Sequence, residues 1–238
     1  MDVDEEEVEF EERGRSNSET VLLFERTCMQ YTKRIARTIM MNKHVTYIGD
    51  ETIRGMYRDI ISFIIDEELV SANLLHALND ADFRRDYQVD LNAFGKDVLK
   101  FERLMRNKEE MPDIIIMNVK IDVESETMDE YLIRVARIFS KMREILPPTA
   151  KVFNVVMPDL SVELPRQTEL KMIEAKVRGS YVIKGEGFSV LDLPFYFRGP
   201  TLSQYETNDG VRWNSLAVRC MNKMLLGAIL HKQLILPF

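Results

Sequence analysis

Cysteine is scarce in this sequence: only Cys28 and Cys220 occur, far apart and outside any CxxC or metal-ligand spacing. A disulfide framework and a structural zinc site are thereby excluded, and two reduced, buried thiols in a reducing compartment are expected. Long apolar runs are missing too. No stretch reaches the roughly 18–20 residues that a membrane-spanning helix requires. The opening residues, Met1-Asp2-Val3-Asp4-Glu5-Glu6-Glu7, lack the basic start and apolar core of a signal peptide. Positive charge is in deficit: 32 Lys and Arg face 39 Asp and Glu, giving a formal net charge of −7 and a pI of about 5.2. Nucleic-acid binding depends on cations that neutralise phosphates, so this balance argues against it. Together these absences predict a protein of the cytoplasm or nucleus, not secreted and not membrane-bound.

What is present is an ordinary globular balance. The 238 residues are 45% apolar and 30% charged, enough for a sizeable core. Residues 1–19 are acidic and polar. They cannot bury enough apolar area to offset their ordering entropy, so a disordered tail is expected. Residues 20–238 are expected to form one domain. Apolar residues at 21, 24, 28, 31, 35 and 39 recur at helical spacing and predict an N-terminal helix over about 19–41.

Downstream, short apolar runs alternate with helical patterns. Val45 to Ile48 predicts a strand, and Thr52 to Ile65 a helix. Residues 68–79 predict a short helix, 80–97 a loop, and 98–104 a strand. Ile114-Ile115-Ile116-Met117 is the clearest strand, because a continuous β-branched run implies burial on both faces, as in a parallel sheet. Then come a helix over 127–145, a strand over 152–157, a helix over 165–179 ending at Gly179, a strand over 190–193 and a final helix over 214–231. The alternation predicts an α/β domain with a mainly parallel sheet between helical layers. In such sheets ligands bind beyond the carboxyl ends of the strands. The loops after Ile48, Met117, Met157 and Leu193 are therefore the places to look.

Three of those regions carry polar residues that fit one scheme. Gly49-Asp50-Glu51 follows the first strand, with Arg54, Tyr57 and Asp59 beyond it. Pro112-Asp113 leads the strand that ends at Asn118, and Asp209-Gly210-Val211-Arg212-Trp213 precedes the last helix. With Phe153-Asn154-Val155-Val156-Met157-Pro158 and Val190-Leu191-Asp192-Leu193, these blocks resemble the animal branch of the PC-esterase domain family of the SGNH (GDSL-type) hydrolases, over roughly 43–230. The resemblance implies a three-layer α/β/α SGNH-hydrolase-like fold, here with an extra N-terminal helix. It also implies an ester-hydrolase ancestry. In the family the first block reads Gly-Asp-Ser and the last reads Asp-Gly-Val-His-Trp. The serine attacks, the histidine takes its proton, the aspartate orients the histidine, and the asparagine helps to hold the oxyanion.

The resemblance places Asn118 at the oxyanion asparagine and Asp209 at the orienting aspartate. It places Glu51 where the family has serine and Arg212 where it has histidine. A guanidinium stays protonated at any working pH and cannot serve as a general base. A carboxylate at 51 would put negative charge where an oxyanion develops. Thr52 is the nearest hydroxyl but has no base. His44, His76 and His231, the only histidines, fall outside the blocks. The chain is therefore expected to be no enzyme, with Glu51, Asn118, Asp209 and Arg212 as a vestigial site. Glu51 and Arg212 are expected to form an ion pair with Asp209 as a second acceptor, the alternative being that both face solvent.

Other features carry less. Asp122, Glu124 and Glu126, near Asp50 and Asp209, form an acidic loop without defined ligand spacing, so no metal and no cofactor is expected. The 14 methionines are core filler. Asp50, Arg54, Phe195, Tyr196, Phe197, Tyr205 and Trp213 are a candidate binding surface, although the aromatic set around 195–205 fits a buried loop anchor equally well. The leading functional expectation is a non-catalytic protein-interaction or scaffold module with a protein partner. It would work through the carboxyl-end rim and the N-terminal helix. A weak or altered ester hydrolase is the alternative. An RNA-binding domain comes third, resting on Lys33, Arg34, Arg37, Arg54, Arg58, Arg84 and Arg85.

Overall fold

Burial on both faces of the short apolar runs is what sets the architecture. The computed structural model describes residues 31–71, 75, 111–160, 164–197, 202–207, 210 and 212–231. Among them lie four strands: β1 (Val45–Ile48), β2 (Ile114–Met117), β3 (Lys151–Val156) and β4 (Ser189–Asp192). They form one parallel sheet in the order β1-β2-β3-β4. Ile48 pairs with Met117, Met117 with Asn154, and Asn154 with Val190, so β1 and β2 end level, while β3 and β4 run two residues further, to Val156 and Asp192. The tail at 1–19, the loop at 80–97 and the strand expected over 98–104 lie outside the described residues.

Helices cover both faces. On one side pack α1 (Lys33–Met40), α2 (Glu51–Ile65) and the last helix, α6 (Ser215–His231). They meet Tyr47, Ile114, Ile116, Phe153, Val155 and Leu191. On the other side α3 (Met128–Ile145) and α4 (Arg166–Gly185) meet Ile48, Ile115, Met117, Val152, Val156 and Val190. The two sets alternate along each strand, as a pleated sheet requires. A one-turn helix, α5 (Leu193–Tyr196), follows β4 directly. The α/β/α sandwich expected from the sequence is present.

Three boundaries differ from expectation for local reasons. The N-terminal helix does not run unbroken from 19 to 41, because Thr32 is extended and its side chain caps Ile35 N–H at the start of α1. Residues 67–71 are not helical, so the helix expected over 68–79 does not begin there. Helix α4 does not stop at Gly179 but runs on to Gly185. Gly179 is there for contact: a Cβ at that position would lie 2.5 Å from Tyr131 Oη of α3.

The α2–α6 contact holds a buried polar network. Arg219 Nε donates to both carboxylate oxygens of Asp59 at 3.0 Å. Asn222 Nδ2 donates to Asp59 Oδ2 at 2.9 Å and to the Met56 carbonyl at 2.7 Å. The Arg219 guanidinium also stacks 4.4 Å from the Phe63 ring centre and donates to the Glu67 and Glu68 carbonyls. Burial pushes the Asp59 carboxyl up, while Arg219 and Asn222 pull it back. Asp59, one of the residues at family offsets, is thus tied into the packing of the last helix on α2.

Candidate functional site

The site begins at the turn between β1 and α2. Asp50 is the N-cap of α2, and its Oδ1 accepts from Thr52 N–H at 3.0 Å and Ile53 N–H at 3.2 Å. Two of the orphan amides of the first turn are satisfied in this way. Asn118 holds the same turn from β2, with its Oδ1 accepting from Asp50 N–H at 3.3 Å. Asn118 Nδ2 is buried and has no hydrogen-bond partner among the described residues. Lys120 forms an ion pair with Asp50 Oδ2. Burial works to raise the Asp50 carboxyl pKa, but Lys120 and the Ile53 amide outweigh it, and the group sits below its usual 3.8.

A pH dependence follows. A carboxylate with a lowered folded pKa contributes stability that is present above its unfolded pKa and lost as pH falls through its folded one. Asp50→Asn keeps a capping oxygen but loses the pairing with Lys120. Its deficit against the parent is expected to be at most about 1 kcal/mol at neutral pH, because the pair is partly exposed. That deficit should vanish as the pH drops below 3.8 and on through the lowered pKa. Urea melts of both proteins at pH 7 and pH 3 check this; Asp50→Ala, which also removes the cap, should cost about 0.5–2 kcal/mol.

The second half of the site comes from the segment before α6. Thr207 N–H donates to the Arg212 carbonyl at 2.8 Å, Gly210 N–H donates to the Thr207 carbonyl at 2.8 Å, and Glu206 and Trp213 form an antiparallel bridge. Gly210 has φ +68°, a left-handed conformation that favours glycine. Asn214 then opens α6, with its Oδ1 accepting from Ala217 N–H at 3.0 Å. This tight turn carries Arg212 over the start of α2, and Arg212 Nε lies 3.5 Å from Glu51 Oε1.

The ion pair expected between Glu51 and Arg212 is therefore formed. Both side chains are about half exposed, at 44% and 52%. A pair of that kind contributes roughly 0–1 kcal/mol. Glu51 also gains from sitting in the first turn of α2, at the positive end of the helix dipole. Asp209, the expected second acceptor, lies outside the described residues.

The remaining candidates have other roles. Tyr196, Phe197 and Trp213 are buried, and Phe197 packs edge-on to Tyr205 at 5.4 Å and to Trp213 at 5.5 Å. Phe195 and Tyr205 are half-buried against the same core. Of the two expectations for this aromatic set, the loop anchor is what the burial supports. Arg54 is half-buried on α2. His44 lies at the amino end of β1, where its N–H donates to Asp113 Oδ2 at 2.8 Å. His76 lies outside the described residues, as do Cys28, Arg84 and Arg85; Cys220 is buried.

Several of the candidate charged groups are already engaged. Lys33 donates to the Ile65 carbonyl, and Arg37 Nε donates to the Ile64 carbonyl at 2.7 Å, so both close the carboxyl end of α2. Arg58 is fully buried and donates to the Leu75 carbonyl. In the acidic loop, Glu126 meets Arg134 at 2.7 and 2.8 Å, and Asp122 accepts from the Glu124 and Ser125 amides. Among the described residues no cluster of acidic, histidine or cysteine side chains could hold a metal ion, and no helix is long and apolar enough to cross a membrane.

Sequence reasoning missed two features. Leu170, Ile173, Val177 and Tyr181 form an exposed apolar row on α4, with Tyr181 63% exposed. Their spacing of three and four residues was legible, but an apolar row on a helix beside a sheet is ordinarily its buried face. The other is the burial of Asn154 on β3, a residue named within one of the blocks but given no role there.

The comparisons with known proteins agree with this architecture. No family model matches the chain. PC-esterase domain-containing protein 1B of Homo sapiens is 25% identical, across 81% of this chain and 55% of that protein. PC-esterase domain-containing protein 1A of Mus musculus is 25% identical, across 80% of this chain and 53% of that protein. The chain thus spans about half the length of the curated relatives it matches. Among solved structures, Axe2, an acetylxylan esterase from Geobacillus stearothermophilus, superposes with a TM-score of 0.51 at 9% identity, over 83% of this chain and 98% of that one. A Slackia heliotrinireducens protein assigned to the SGNH hydrolases gives a TM-score of 0.50 at 12% identity, over 78% and 97%. In sequence the chain resembles the PC-esterase domain-containing proteins, and its fold is the α/β fold of the SGNH hydrolases.

Proposed function

We propose that this chain is a catalytically silent relative of the PC-esterase domain proteins and works as a protein-interaction or scaffold module. The observation that carries the proposal is the Glu51–Arg212 ion pair at 3.5 Å. It occupies the place where the resemblance puts a nucleophile and its base. An ester entering that place would meet a carboxylate paired with a cation that cannot take a proton. The exposed apolar row on α4 supports the binding half of the proposal, since monomeric surfaces rarely keep contiguous apolar patches without a use. The acidic balance and the use of Lys33, Arg37 and Arg58 within the fold weigh against nucleic acid.

The test is turnover of p-nitrophenyl acetate and butyrate by purified protein. The parent, Glu51→Ala and Arg212→Ala are expected to give the same background rate. A parent rate at least tenfold above background that Glu51→Ala or Arg212→Ala removes would overturn the proposal and favour an altered hydrolase.

A further inference from the structure

A cavity of about 210 Å³ lies between the sheet and helices α3 and α4, at the carboxyl ends of β2 and β3. Its walls include Ile121, Tyr131, Val156, Met172, Ala175 and Ile183. Asp50, Glu51 and Arg212 are not among its lining residues, but Asn118 and Lys120, which hold Asp50, are, so it lies beside the ion pair described above. Two carboxamides line it. One is Asn118, whose Nδ2 is buried without a hydrogen-bond partner among the described residues.

The other is Asn154. It is only 4% exposed and lies on β3 between Val152 and Val156, which face the same layer. A valine would suit that place in a parallel sheet. Asn154 Oδ1 is buried without a partner among the described residues. A buried acceptor left unmade costs folding free energy, and such groups are rare enough in native proteins that each asks for a cause. Lys120 and Lys176, also in the wall, are bound to Asp50 and Asp159 and offer no unpaired cation to an anion.

We infer that this cavity binds a small, uncharged primary carboxamide with an apolar body. A carboxamide presents both N–H and C=O, the complements of the Asn154 Oδ1 acceptor and the Asn118 Nδ2 donor. An ester lacks the donor, and a carboxylate would bring a buried charge against an acceptor oxygen. Size sets the body: a dry cavity on the order of 150 Å³ holds a benzene ring. The 210 Å³ here leaves room for a ring with one amide, a molecule of the size of benzamide.

Benzamide, methyl benzoate and benzoate can be titrated into the full chain and followed by amide NMR shifts and calorimetry. Benzamide is expected to bind at millimolar concentration or tighter, shifting the amides of 118–123 and 154–159. The ester and the acid are expected to bind at least tenfold more weakly. Asn154→Val should weaken benzamide at least tenfold while raising the melting temperature of the ligand-free protein. Ala175→Leu, which fills the cavity from α4, should abolish binding and decides the question if Asn154→Val does not fold. No binding of benzamide at 10 mM, equal binding of the ester, or undiminished binding in either folded variant would each overturn the inference. None of these outcomes depends on whether the chain hydrolyses esters.

Discussion

Replacing Asp59 with alanine is expected to cost about 3–5 kcal/mol of folding stability, because it leaves the buried Arg219 guanidinium without its counter-charge. Asp59 is completely buried, and Arg219 is 8% exposed at its side chain. A domain of this kind has roughly 5–15 kcal/mol in total, so the loss is a large share of its stability. The double variant Asp59→Leu, Arg219→Met is the informative control. Removing both charges removes the desolvation penalty of each, and replacement of such pairs by apolar residues is often neutral or better. The Glu67 and Glu68 carbonyls that Arg219 also holds belong to exposed residues and can turn to water. Asn222 keeps its bond to the Met56 carbonyl. Urea unfolding of the single and double variants should therefore show a large loss followed by recovery of most of it. If Asp59→Ala costs less than about 1 kcal/mol, the network does not hold α6 to α2 in the way described.

This pair also shows what a single sequence conceals. Asp59 and Arg219 are 160 residues apart, and nothing local to either marks the other. The strands were legible for the opposite reason. Ile114 to Met117 is apolar at four successive positions, and only burial on both faces of a strand accounts for so short and uniform a run. The start of α2 was legible because Gly49-Asp50 supplies a turn and a cap. The end of α4 was misread because glycine has two uses. At Gly179 it admits Tyr131 to close contact, and the helix continues, since one glycine weakens a helix without breaking it. The aromatic residues around 195–205 pointed equally to a surface or an anchor, because composition does not say which way a ring faces. The Glu51–Arg212 pair was legible only through the family resemblance. Propensity and periodicity alone would not have brought positions 51 and 212 together.

Gly49→Ala is expected to be the most damaging change of a single methyl group at the candidate site. A Cβ on Gly49 would overlap Asn118 Oδ1 and come within 2.8 Å of Ile53 Cγ1 and 3.0 Å of Ile53 Cβ. Asn118 can relieve the first contact only by swinging away from Asp50 N–H, which it holds at 3.3 Å. Ile53 is in the first turn of α2 and fully packed, so the second contact is relieved only by shifting the helix. Overpacking of this sort costs about 1–3 kcal/mol, and the lost hydrogen bond adds about 1 kcal/mol. Gly185→Ala is the matched control. Nothing lies within 4 Å of its Cβ, and its helical position favours alanine by up to about 1 kcal/mol. Thermal melts of the two variants should move in opposite directions. The Asn118 side-chain amide resonances should shift in Gly49→Ala and stay in place in Gly185→Ala. A Gly49→Ala protein as stable as the parent, with Asn118 unmoved, would mean that the turn tolerates a side chain. The close approach of backbone and asparagine would then not be what requires glycine there.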